Sequence, residues 1–188
     1  MTTPLNVRLL ASLLLAWPAV AFAAKSADEQ RADTRKVRDQ VLAEIYKANP
    51  SVKDKVKKSA GYAVFSNVGI NLVFASFAGG KGVVVDRKGK ETFMKMGSVG
   101  IGIGLGVKDF RALFVFTDQA RLDTFIQKGW DFSGQADAAA KSDDKGAALA
   151  EAGTVLPGVD VYQLTKNGLA LQATLQGTKY WRDRDLNN

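Results

Sequence analysis

Neither cysteine nor histidine occurs among the 188 residues of the chain. Composition therefore excludes a zinc site built on imidazole or thiolate, a Ser-His-Asp triad and a thiol nucleophile, whatever the fold. Disulfides are excluded as well, so packing alone has to hold the structure together. An acyl anchor at a processed N-terminus needs a cysteine at the cut, so no lipidation is expected. Long apolar runs are also missing: crossing a bilayer takes about 20 apolar residues, whereas the run at 9–16 is short and is soon followed by Pro18. Nucleotide fingerprints fail in the same way. Gly82 follows Gly80-Lys81 where a P-loop needs Ser or Thr, and Leu105 stands sixth from Gly100 where a dinucleotide turn needs glycine. Acidic residues are the minority, 19 against 26 basic, for a formal charge of +7. That balance favours anionic partners.

What is present begins with an export signal. Arg8 supplies a positive charge, residues 9–16 form a short apolar core, and Ala21-Phe22-Ala23 is an A-x-A site with cleavage expected after Ala23. Residues 1–23 are thus read as a signal peptide, and the rest has a length suited to one domain with its own core. Export makes a lipid surface, rather than nucleic acid, the expected anionic partner.

Residues 24–50 read as an amphipathic helical segment. Val37, Val41, Ile45 and Ala48 recur at helical spacing, Leu42 and Tyr46 widen the stripe, and Asn49-Pro50 ends it. Ser51 is expected to cap a second short helix, with Asp54 at capping-box spacing and Val52 and Val56 inward. Strand patterns follow at 62–65, 70–77 and 82–86, the last two separated by Gly79-Gly80-Lys81, and Gly80-Lys81-Gly82 reads as a tight hairpin. Arg87-Lys88-Gly89-Lys90 reads as a hairpin turn, and 91–96 and 110–116 as further strands. Thr117 or Asp118 is expected to cap a helix with Leu122, Phe125 and Ile126 inward, ending near Gly129. Strand character returns at 130–140. Residues 141–153 are polar and alanine-rich, and 159–165 and 169–176 form a closing hairpin around Asn167-Gly168. No internal repeat or dividing linker is visible.

Several blocks, in this order, carry a resemblance. Gly61-Tyr62-Ala63-Val64-Phe65-Ser66-Asn67-Val68-Gly69 precedes Gly80-Lys81-Gly82-Val83-Val84, then come Phe114-Val115-Phe116-Thr117-Asp118, Gly129-Trp130-Asp131-Phe132, Val161-Tyr162 and Gly168-Leu169. From Val52 to Tyr180 the chain resembles the SYLF lipid-binding family, and its Gly177-Thr178-Lys179-Tyr180 tail is similar to that of exported bacterial members. The resemblance implies a curved β-sheet domain, here residues 51–188, with flanking helices. It also implies binding of acidic lipids through an N-terminal amphipathic helix and basic residues. Some eukaryotic relatives bind actin, which is not expected for an exported bacterial protein. After Gly69 the chain has Ile70-Asn71-Leu72 where many members continue with Lys and Gly. Phosphatidylglycerol, cardiolipin or a related envelope lipid is therefore expected in place of a phosphoinositide.

The candidate lipid-binding residues are Lys53, Lys55, Lys57 and Lys58, with Arg35, Arg38 and Lys81. Each lysine near an anionic leaflet contributes about 1 kcal/mol, and apolar residues of the N-terminal helix would add shallow insertion. The alternative is that these cations form the solvated face of a core-packed helix. Tyr180, Trp181 and Arg182 are candidate membrane-interface residues, since amphipathic rings favour the headgroup level, or else they pack on the domain. The period-two glycines from Gly100 to Gly106 fit close backbone approach better than a ligand cradle. Asp118, Asp123, Asp131, Asp137, Asp143 and Asp144 are read as solvated or capping groups. No metal, cofactor or catalytic residue is assigned, and no enzyme activity is expected.

The fold expected is α+β: one domain, a curved antiparallel β-sheet flanked by the N-terminal helices and one mid-chain helix at 118–128. The expected function is non-catalytic binding of anionic phospholipid in the periplasm or cell envelope, peripheral to the membrane. The rival class is a protein-interaction module with an envelope protein as partner.

Overall fold

A computed structural model describes residues 25–67, 79–98, 110–131, 158–165, 168–170 and 178–188. The expected signal peptide at 1–23, the strand expected at 70–77, most of the glycine-rich segment and the alanine-rich stretch at 141–153 lie outside these. The described chain is a single α+β domain with a curled antiparallel sheet, as expected. Its elements are α1 (Ala27–Ala48), α2 (Ser51–Lys58), β1 (Gly61–Ser66), β2 (Gly79–Asp86), β3 (Glu91–Ser98), β4 (Arg111–Phe116), α3 (Gln119–Lys128), β5 (Trp130–Asp131), β6 (Val159–Thr165), β7 (Gly168–Ala170) and β8 (Thr178–Arg182).

The strands run in the order β5-β8-β3-β2-β1-β4-β6-β7, with β1 central between β2 and β4. Because side chains alternate across a strand, Ala63 and Phe65 point to one face and Val64 to the other. The first face gathers Phe65, Phe114, Phe116 and Tyr180 under Leu122 and Phe125 of α3. The second gathers Val64, Leu113, Val115, Tyr162 and Leu164 under Val41 and Ile45 of α1 and Val52 of α2. The apolar stripe of α1 is thus spent on the core, with Val41 and Ile45 at 1% and 0% exposure. Burying each such side chain contributes about 1.5–3 kcal/mol.

Local chemistry fixes the helix ends. At the start of α1 the Ser26 side chain accepts from the Glu29 N–H, and the Ser26 N–H donates to the Glu29 carboxylate at 2.8 Å, a capping box. Asn49, extended ahead of Pro50, ends it. The cap expected from Ser51 and Asp54 does not form. Ser51 is already helical, and its N–H and hydroxyl both donate to the side-chain oxygen of Asn49, at 3.2 and 2.7 Å. Asn49 sits two residues ahead in extended backbone and reaches the position that a capping hydroxyl would fill. Asp118 caps α3 by accepting from the Arg121 N–H, and Gly129 ends it at φ +68°.

The tight hairpin expected at Gly80-Lys81-Gly82 is strand instead: β2 pairs with β1 out to Ser66 opposite Lys81. The glycines there mark close approach. A Cβ on Gly82 would lie 2.3 Å from the Phe65 ring, and one on Gly80 would lie 2.6 Å from the Met96 side chain. The turn at Arg87-Lys88-Gly89-Lys90 forms as expected, with Gly89 at φ +81°. The charged aromatic tail is strand β8, inserted between β3 and β5.

Candidate functional site

Helix α2 lies against the sheet through Val52, which is fully buried, and the half-buried Val56. Lys53, Lys55, Lys57 and Lys58 are all exposed. Positions four apart share a helix face, so Lys53 and Lys57 stand one above the other, whereas Lys58, the next residue, is turned about 100° further round, with the exposed Asp54 between. Among the described residues these three lysines have no carboxylate partner.

Lys55 differs. Its ammonium donates to Asp160 of β6 at 2.9 Å and lies 5.8 Å from the centre of the Tyr162 ring. The hydrogen bond to Asp160, then that to Tyr162, raises its pKa above the usual lysine value. It is a strut from helix to sheet, and the charge that sequence reasoning assigned to a lipid is already engaged.

The other expected cations turn inward. Arg35 and Arg38 both close on Glu91 of β3, each at 2.7 Å, and Arg35 also stacks 5.4 Å from the Phe93 ring centre. They clamp α1 to the sheet, which corrects their assignment to a lipid-facing surface. Lys81 is half-buried beneath α1 and donates to the Gln30 side-chain oxygen at 2.6 Å. Burial lowers its pKa. It too leaves the candidate set.

Tyr180 is corrected in the same sense. Its ring is 1% exposed and packs edge-on against Phe65 and Phe114, with centroids 4.7 and 5.3 Å apart, and burial pushes its hydroxyl pKa upward. Trp181 is 38% exposed, its ring lying over Gly97, and Arg182 is exposed. Both sit on β8, which is separated from β1 by β3 and β2, so they do not join the α2 lysines. Insertion of the α1 stripe, expected as the second step of docking, conflicts with its place in the core.

The carboxylates hold structural posts. Asp118 caps α3, Asp123 accepts from Gln119 at 2.9 Å, and Asp131 pairs with Lys179 at 3.0 Å; Asp137, Asp143 and Asp144 lie outside the described residues. Among the described residues, no three carboxylates gather as a metal site would require, and no helix is long and apolar enough to cross a membrane.

Sequence reading took Arg87 for a turn residue and missed its role at this site. Its Nε donates to the Ser59 carbonyl at 3.1 Å and its guanidinium reaches the Lys58 carbonyl at 3.3 Å, closing the end of α2. The available signal was the density of charge, three cations in the four residues 87–90.

No family model matches the chain. It is 34% identical over 163 residues, 86% of its length, to beta cell expansion factor A of Aeromonas veronii. The chain spans about 60% of the length of that relative.

Proposed function

We propose that the protein is a non-catalytic module, exported to the periplasm or cell envelope, that docks on anionic phospholipid surfaces through α2. The observation that carries this reading is the exposure of Lys53, Lys57 and Lys58 on a short helix docked through Val52, with no carboxylate partner among the described residues. The helix is held from beneath by Val52 and from the side by Lys55, so little ordering is needed when the lysines meet phosphate. Three lysines at about 1 kcal/mol each give weak, reversible and salt-sensitive attachment. The Debye length of about 8 Å at physiological ionic strength confines the attraction to near contact. With the stripe of α1 in the core, docking is electrostatic in the first instance.

Vesicle flotation tests this. The mature protein should float with phosphatidylcholine vesicles containing phosphatidylglycerol, stay behind with pure phosphatidylcholine, and be released as salt is raised. Equal recovery on neutral and acidic vesicles, or recovery indifferent to salt, would overturn the proposal.

A further inference from the structure

The cationic surface does not stop at Lys58. The turn between β2 and β3 is joined to the end of α2 by three hydrogen bonds from Arg87: its N–H donates to Ala60 at 2.9 Å, its Nε to Ser59 and its terminal nitrogen to Lys58. Helix end and turn are therefore one rigid body. The turn is itself stiff, because the Asp86 carboxylate accepts the N–H groups of Lys88 and Lys90, both at 2.8 Å, and its carbonyl accepts that of Gly89. The two acids that flank the turn are thus both occupied, Asp86 by backbone and Glu91 by Arg35 and Arg38.

Lys88 and Lys90 are exposed, have no carboxylate partner among the described residues, and flank a Gly89 whose Cβ position opens onto empty space. We propose that this turn is the second half of the docking surface. Lys57, Lys58, Arg87, Lys88 and Lys90 form one cationic platform at the Gly61 and Asp86 end of the sheet. An anionic bilayer is met by this end, with the β2–β3 turn toward the headgroups and α1 still packed on its face. The inference rests on the reading of α2 as a docking helix and adds a binding element and an orientation to it. A bilayer suits the platform because it offers many phosphates at once to cations that are exposed on two neighbouring elements joined by Arg87. Their fixed relative placement also spares the ordering cost that separate flexible segments would incur.

Two measurements test it on the mature chain. In the first, the pair Lys88→Gln and Lys90→Gln is compared with wild type and with a triple variant of α2, Lys53→Gln, Lys57→Gln and Lys58→Gln, using phosphatidylglycerol-containing vesicles. Each removed charge should weaken binding about fivefold, so the turn pair should lose about 25-fold and show a shallower salt dependence, with an unchanged circular dichroism spectrum. Wild-type affinity in the turn pair, with loss in the α2 triple, overturns the inference and leaves the docking reading standing. Failure of the wild type to bind vesicles of either composition overturns both and points to an acidic protein partner instead. In the second, the absence of native cysteine allows single thiols to be labelled with an environment-sensitive fluorophore at Lys88→Cys or at Ala43→Cys on the outer side of α1. Emission should shift to the blue at position 88 and stay constant at 43 when acidic vesicles are added. The reverse pattern overturns the orientation.

Discussion

Glu91 of β3 accepts from Arg38 of α1 at 2.7 Å, with side chains 21% and 16% exposed respectively, while Arg35 takes the other carboxylate oxygen. One acid thus holds a single turn of the helix to the sheet at two points. Glu91→Ala should cost about 1–2 kcal/mol, the scale of charged hydrogen bonds reduced for partial exposure. Urea denaturation reads that loss. If α1 stays packed when the protein docks, the same variant should gain at most about fivefold in affinity for acidic vesicles, the effect of one removed negative charge. A much larger gain would instead mean that the helix has to come off the sheet.

How much of this was legible in the sequence follows the range of the interactions. Helix α1 was readable because Val37, Val41 and Ile45 repeat at 3.6-residue spacing and Asn49-Pro50 stops the chain, and α3 because Asp118 and Gly129 bracket it. Strand β8 was not, since Tyr180 and Trp181 stand among Lys179 and Arg182 and read as a charged aromatic tail. Only pairing with β3, some eighty positions earlier, from Met94 opposite Arg182 to Ser98 opposite Thr178, makes them a strand. The cations divided on the same ground. Their exposure was legible from helical periodicity, but the carboxylate that engages Lys55 lies 105 residues away and the one that engages Arg35 lies 56 away.

The amino end of α1 should loosen in acid. Ser26, through its backbone N–H first and its hydroxyl second, lowers the pKa of Glu29 below the usual carboxylate value of about 4.3. A depressed folded pKa means that the stabilisation is complete above that value and is lost as pH falls through the folded one. Protection of the Glu29 and Gln30 amides, which donate to the Ser26 hydroxyl and carbonyl, should therefore fall relative to the intrinsic exchange rate as pH is lowered below about 4.3. Ser26→Ala should show weak protection at neutral pH already and lose most of this pH dependence. A wild-type profile flat across this window would remove the capping box as the cause.

Gly82 carries a steric prediction. Its Cβ would lie 2.3 Å from the Phe65 ring and 2.5 Å from the Val64 carbonyl, and backbone cannot give way as a flexible side chain can. Gly82→Ala should cost about 1–3 kcal/mol as an overpacked core position, although alanine normally gains about 0.5–1 kcal/mol over glycine within a strand. A thermal melt decides the sign. Stabilisation would mean that β1 and β2 can separate more easily than their register implies.

Lys81 was a lipid-binding candidate by sequence, and its half-buried site under α1 predicts otherwise. Burial lowers its pKa, so the protonated form is held at a cost that vanishes only in strong alkali. Lys81→Met removes that cost while keeping the length of the stem, although it leaves the Gln30 side chain without its donor. Stability should change by less than about 1 kcal/mol, and affinity for phosphatidylglycerol vesicles should stay within twofold. A loss comparable to that of an exposed lysine would mean that Lys81 reaches the bilayer and that α1 moves aside.

The sharpest contrast lies within α2 itself, between two lysines two positions apart. Lys55 is engaged by Asp160 and Tyr162, whereas Lys57 faces solvent with no carboxylate partner among the described residues. Lys55→Ala should lower stability by about 0.5–1 kcal/mol, the scale of a partly exposed ion pair, and leave vesicle affinity nearly intact. Lys57→Ala should leave the melting temperature unchanged and weaken vesicle binding by about 1 kcal/mol. Both variants have the same charge, so a mechanism that depends only on net charge predicts identical loss of binding. Unequal losses, measured side by side at one salt concentration, separate a defined docking face from diffuse attraction.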